Sequence, residues 1–66
     1  MEIPGEERVG VLIVRAWLVP GSDPPLRIRI TSSLDIRKRE TVVAAKATVD
    51  EACQAVRDWL IAFLAD

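Results

Sequence analysis

"RIRITSSLDIRKRE", residues 27–40, carries the clearest β-strand pattern in this 66-residue chain. From Leu26 onward its side chains alternate between apolar and polar, with Ser32 as the one interruption. A period of two places the two sets on opposite faces of a sheet, so we predict a strand over residues 26–37 with a bulge or a bend at Ser32-Ser33. The apolar set is Leu26, Ile28, Ile30, Leu34 and Ile36, and the polar set is Arg27, Arg29, Thr31, Ser33, Asp35 and Arg37.

The segments on either side predict two more strands. "RVGVLIVRAWLV", residues 8–19, is rich in β-branched side chains, and "PGSDPP", residues 20–25, has the composition of a turn. "RKRE", residues 37–40, predicts a tight turn before a third strand in "TVVAAKA", residues 41–47.

The register of the third strand depends on the length of that second turn. If Lys38 and Arg39 form a two-residue loop, Leu34 lies opposite Val43, and the apolar side chains of both strands share one face. The turn lacks the Asn-Gly pair that two-residue loops favour, so a longer loop is the alternative.

The C-terminal sequence "TVDEACQAVRDWLIAFLAD", residues 48–66, predicts a helix. Thr48 and Glu51 have the spacing of a capping box, in which each side chain accepts a hydrogen bond from a backbone N–H at the helix start. Cys53 belongs to the apolar stripe, so we predict a buried, inert thiol. The stripe at helical spacing is Val49, Ala52, Cys53, Val56, Trp59, Leu60, Phe63 and Leu64.

The order of these elements predicts an α+β fold: a three-stranded antiparallel meander sheet with one C-terminal helix packed on one face (β-β-β-α). At 66 residues the chain is one small domain, residues 1–66. Residues 1–7 contain three glutamates with Pro4 and Gly5, and we predict that they are flexible.

Composition narrows the function classes. The chain has no histidine, one cysteine and a formal net charge of −1, so we expect no imidazole chemistry, no disulfide and no multi-cysteine zinc site. No catalytic motif or phosphate-binding glycine loop is present, and we predict a non-enzyme without cofactor or metal. The acidic N-terminus and the short apolar run ended by Arg15 predict a cytoplasmic protein without a membrane span.

The face of the sheet that the single helix leaves uncovered is the candidate functional surface. On the first strand the even-numbered row is entirely apolar and is assigned to the helix side, which leaves the odd-numbered row outside. Tryptophan beside arginine and branched aliphatic residues is typical of protein interfaces. We expect this face to bind a second copy or another protein, unless the N-terminal arm covers it. The candidate interface is Val11, Ile13, Arg15, Trp17 and Val42.

Nucleic-acid binding is the alternative. Residues 26–39 carry five basic side chains against Asp35, a local charge of +4, and binding to phosphates needs such a concentration of positive charge. The candidate residues for this alternative, on the sheet face and in the 37–39 turn, are Arg15, Trp17, Arg27, Arg29, Arg37, Lys38 and Arg39.

Two resemblances accompany these predictions. Three antiparallel strands followed by a helix that begins "TVDEACQAV" resemble the AP2/integrase N-terminal type of DNA-binding domain, which implies a groove-facing set of Arg15, Trp17, Arg27 and Arg29. The chain departs from that family because it lacks a Gly-Arg-rich first hairpin. "LIVRAW", the alternating strands and the terminal "WLIAFL" also look like small β-β-β-α proteins of GC-rich bacteria, a likeness that implies no activity.

Overall fold

In a computed structural model, which describes residues 7–65, three strands form one antiparallel sheet in the order β1-β2-β3 and a helix follows them. The strands are β1 (Val11–Leu18), β2 (Leu26–Ser33) and β3 (Val42–Lys46), and the helix is α1 (Val49–Ala65). The predicted β-β-β-α fold is therefore confirmed. The prediction for residues 1–6 lies outside the described residues.

A braced turn connects β1 to β2. Gly21 has a φ of 79°, which an L side chain rarely adopts, and the Asp23-Pro24 peptide bond is cis. The Arg27 guanidinium donates to the carbonyl of Pro24 at 2.7 Å and to Ser22 Oγ at 2.5 Å. This turn sets a register in which Trp17 lies opposite Arg27.

The end of β2 differs from the prediction. The strand ends at Ser33, and residues 34–41 form a long connection instead of a two-residue loop. Asp35 organises it: its carboxylate accepts from the backbone N–H of Arg37 at 2.9 Å and forms a salt bridge with the Arg37 guanidinium at 3.0 Å. The Val9 carbonyl also accepts a hydrogen bond from the backbone N–H of Ile36. The chain therefore leaves the sheet after Ser33, whereas a two-residue hairpin would have extended β2 to Arg37.

The longer connection changes the register of β3. Ser32 lies opposite Val42, whereas the two-residue loop would have placed it opposite Ala45. Because side chains alternate along a strand, a shift by an odd number of residues, here three, moves every side chain of β3 to the face opposite the predicted one. Val42 therefore points to the helix side, and Val43 to the uncovered side.

The start of α1 follows the local sequence. Thr48 Oγ1 accepts from the backbone N–H of Glu51 at 3.1 Å, and Glu51 Oε1 accepts from the N–H of Ala47 at 3.1 Å. The bond to Thr48 satisfies a donor that a helix start otherwise leaves unpaired and confirms the Thr48 half of the predicted capping box, while the Glu51 carboxylate accepts from Ala47, one residue before the N-cap.

α1 lies against the face that carries Ile28 and Ile30, which are the buried apolar residues of the described chain. Near the end of the helix, the rings of Trp59 and Phe63 stack at 5.3 Å and lie directly over Gly10. Gly10 has no side chain, and this absence lets the rings approach the backbone.

The prediction that Cys53 is buried was wrong, because the thiol is exposed. The helix packs through one side of its apolar stripe, where Ala52, Val56, Trp59 and Phe63 are partly covered. Cys53 lies on the other side of the stripe with Leu60 and Leu64, which the helix turns away from the sheet.

Candidate interaction surfaces

The sheet face opposite α1 is named the open face here. The strand registers place arginines next to one another and next to tryptophan: Arg15 lies opposite Arg29, and Trp17 lies opposite Arg27. The open face consists of Val11, Ile13, Arg15, Trp17, Arg27, Arg29, Thr31, Ser33, Val43 and Ala45.

Large apolar side chains remain exposed on the open face. Ile13 is 58% exposed and Val43 61%, and Val11 and Trp17 are also exposed. The Arg15 guanidinium lies over the Trp17 ring, 5.3 Å from its centroid, which is a cation–π geometry. An apolar patch bordered by arginine is typical of a binding surface.

The structure places four of the five candidate interface residues together and corrects the fifth. Val11, Ile13, Arg15 and Trp17 share the open face, but Val42 points to the helix side because of the register of β3. Val43 lies on the open face instead of Val42. The sequence carried a signal for this difference, because Ser33 and Asp35 are residue types that favour a turn over a continued strand.

The candidate nucleic-acid residues do not form one surface. Arg15, Trp17, Arg27 and Arg29 lie on the open face, whereas Arg37, Lys38 and Arg39 belong to the connection after β2. From Arg27 to Ser33 the strand covers about 20 Å at about 3.3 Å per residue, which separates the connection from the Trp17 end. Arg27 donates a hydrogen bond to Ser22 in the β1–β2 turn, and Arg37 forms a salt bridge with Asp35.

A groove of about 950 Å³ opens on the helix side of the sheet, between α1 and β3. The helix contributes Ala55, Asp58, Trp59 and Ala62 to its wall, and β3 contributes Val42 and Ala44. Trp59 Nε1 is buried without an acceptor among the described residues. The groove therefore shows which side of α1 faces β3.

On the side of α1 that faces away from the groove, the apolar residues are exposed. Leu64 is 83% exposed and Leu60 49%, and on the helix side of β1 Leu18 is 70% exposed and Val14 49%. Cys53 occupies the same side of the helix. We name these exposed apolar residues, Val14 and Leu18 on β1 with Leu60 and Leu64 on α1, the β1 flank.

Two carboxylates have pKa values that the local structure lowers. Hydrogen bonds from Arg37 lower the pKa of Asp35 to about 2. The backbone N–H of Ala47 and the hydroxyl of Thr48 lower the pKa of Glu51. Both groups stabilise local structure, a turn and a helix start, and neither lies on the open face.

Within residues 7–65, no group of three histidine, cysteine, aspartate or glutamate side chains is arranged to hold a metal ion. In the same residues, no helix combines the length and the hydropathy that crossing a bilayer requires.

No family model matches the chain, and comparisons with curated proteins and with solved structures also found no match.

Proposed function

We propose that this chain is a small, non-enzymatic protein-interaction module of the cytoplasm and that its open face docks another protein. The observation that carries the proposal is the composition of that face: four exposed large apolar side chains beside three arginines, with no acidic residue among its ten positions. The exposed, unpaired thiol of Cys53 fits a reducing compartment.

The free energy gained by covering the exposed apolar side chains of the open face indicates which other contacts a partner must make. Val11, Ile13, Trp17 and Val43 are between 39% and 61% exposed. At about 1.5–3 kcal/mol for each fully buried side chain, covering them contributes roughly 3–6 kcal/mol. Association costs about 4–15 kcal/mol, so the apolar contact alone gives at most weak binding, and tighter binding requires that the arginines also find partners.

The charge of the open face determines the kind of partner. A second copy stacked face to face would bring six arginines together, since each copy supplies Arg15, Arg27 and Arg29. Like charges in contact across an interface are unfavourable, whereas carboxylates would form charge-assisted hydrogen bonds with the guanidinium groups. The partner that fits is therefore a different protein, with acidic and large apolar residues on its contact surface.

A displayed library of random peptides, selected on the immobilised chain, tests this proposal. Counter-selection uses the W17S/I13S variant, and the matched control is I61S, because Ile61 is an exposed apolar residue on the outer side of α1. We expect enriched peptides that combine acidic with large apolar residues, bind the I61S variant equally and lose binding to W17S/I13S. If no peptide distinguishes the wild-type chain from W17S/I13S, the open face is not a protein-docking surface.

Nucleic-acid binding is the second candidate, because Arg15, Arg27, Arg29 and Trp17 do share one face. Phosphate contacts make binding fall steeply with salt. Fluorescence anisotropy with labelled duplex and single-stranded DNA at low salt distinguishes the candidates. Salt-sensitive binding that R27A/R29A abolishes supports the second candidate, and its absence at low salt rejects it.

A further inference from the structure

We propose that a second copy of this chain pairs antiparallel along the outer edge of β1, which produces a six-stranded sheet with both helices on one side. The proposal concerns the edge of β1 and the β1 flank. The residues varied to test it, Leu18 and Leu64, lie outside the ten positions of the open face, so its failure and a failure of open-face docking are distinguishable.

The outer edge of β1 is suited to pairing. In the described part of the chain the strand order is β1-β2-β3, so one side of β1 has no neighbouring strand. β1 is eight residues long, "VLIVRAWL", and Arg15 is its one charged residue. Long, apolar edge strands without proline or lysine are templates for another strand. β3, the other edge, has five residues and ends in Lys46, which makes it the poorer template.

Symmetry restricts the register of this pairing. A two-fold axis perpendicular to the sheet keeps each residue on its own face, and directly opposite residues share a face, so the two numbers in each pair add to an even sum. Centring on Arg15 would place two arginines opposite each other, which is unfavourable. Centring on Ile13 pairs a shorter segment, residues 11–15. Centring on Val14 pairs residues 11–17 and places Ile13 opposite the partner's Arg15.

The Val14-centred register brings the most exposed apolar residues of the two copies together. Leu18 of one copy then lies opposite Gly10 of the other, the residue on which Phe63 packs. Phe63 is in the last turn of α1, next to Leu64. Leu18, 70% exposed in the single copy, therefore lies close to the partner's Leu64, which is 83% exposed.

The exposed side chains of one copy are consistent with such a contact. Leu18 and Leu64, which the register brings together, are 70% and 83% exposed, and Val14 and Leu60 are each 49% exposed. Removing such apolar side chains from water is the main favourable contribution to most protein association.

A charge-exchange experiment tests the arrangement. L18K and L64E alter side chains that are exposed in one copy, so each variant is expected to keep the fold, which far-UV circular dichroism checks. In native mass spectrometry we expect dimers of the wild-type chain and of the control I61E, and monomers of L18K alone and of L64E alone. An equimolar mixture should restore a dimer with one copy of each variant, because the introduced lysine of one copy then meets the introduced glutamate of the other.

Each alternative result overturns the proposal: a wild-type chain that stays monomeric, a single variant that dimerises like the wild type, or a mixture that stays monomeric. Cys53 provides a second measurement that needs no substitution. Cys53 lies ten residues before Phe63, which packs on Gly10, so the rise along α1, about 1.5 Å per residue, places Cys53 about level with Val14, the residue on which the pairing is centred. A short bifunctional maleimide should link two wild-type chains through Cys53, and wild-type chains that dimerise without this link also contradict the arrangement.

Discussion

Substituting Gly10 by alanine tests how α1 is fixed on the sheet, because two opposing effects predict opposite signs. Gly10 does not have a positive φ, so alanine alone would stabilise the fold by about 0.4–1 kcal/mol through the unfolded state. A Cβ at this position, however, would lie 2.8 Å from Phe63 Cε1 and 2.9 Å from Trp59 Cζ2. Both distances are too short for carbon atoms in contact, so the rings or the backbone must move.

The rings have little freedom to move. Phe63 is stacked on Trp59 on one side, and the Arg8 guanidinium lies 4.4 Å from its ring centroid and donates to the Phe63 carbonyl. Overpacking of this kind costs about 1–3 kcal/mol, and the entropic gain offsets about 0.4–1 kcal/mol of it, so the middle of the two ranges leaves G10A about 1.3 kcal/mol less stable. For a domain of this size, that loss lowers Tm by roughly 5–10 °C.

Urea denaturation followed by far-UV circular dichroism, at one fixed protein concentration, measures this difference. The control is the same substitution in an F63L background, where leucine lacks the ring atom nearest to the added methyl group. We expect the cost of G10A to shrink there by at least half. A G10A chain as stable as the wild type, or more stable, refutes the proposed packing of the rings over Gly10.

Two further predictions concern the turn after β2 and the start of α1. The pKa of Asp35 is lowered to about 2 in the folded chain, so as the pH falls the unfolded chain binds the proton first. The stability that Asp35 contributes is therefore present above its ordinary pKa of 3.8 and is lost as the pH falls from about 4 through 2. The free energy of unfolding of D35N, measured over this pH range, should fall less than that of the wild-type chain, and an equal fall contradicts the role of the Arg37 contact. T48A removes the acceptor for the N–H of Glu51 and should cost about 0.5–2 kcal/mol in urea denaturation, with T48S near the wild type; equal losses in T48A and T48S contradict the cap.

Local patterns in the sequence predicted the elements and two of the three strands of the open face. The alternation in β2 and the apolar even row of β1 placed Arg15, Trp17, Arg27 and Arg29 together, because a sheet has only two faces. The capping box at Thr48 was equally local. Each of these features depends on neighbours within a few residues.

The predictions for Val42 and Cys53 were wrong because each depends on contacts that set the position of a whole strand or helix. The side-chain bonds of Asp35 end β2 early, and the resulting odd shift in register turned Val42 away from the open face and brought Val43 onto it. The exposure of Cys53 followed from the rotation of α1, since a helical stripe does not specify which of its two sides meets the sheet.

The central claim is that apolar side chains exposed in one copy of this chain belong to interfaces. Sedimentation equilibrium over a wide concentration range tests it most directly. We predict that the mass rises with concentration from the 7.3 kDa of one chain towards twice that value, as the β1 edges pair. A mass that stays at that of one chain up to about 1 mM, where association would contribute less than about 4 kcal/mol, contradicts the pairing.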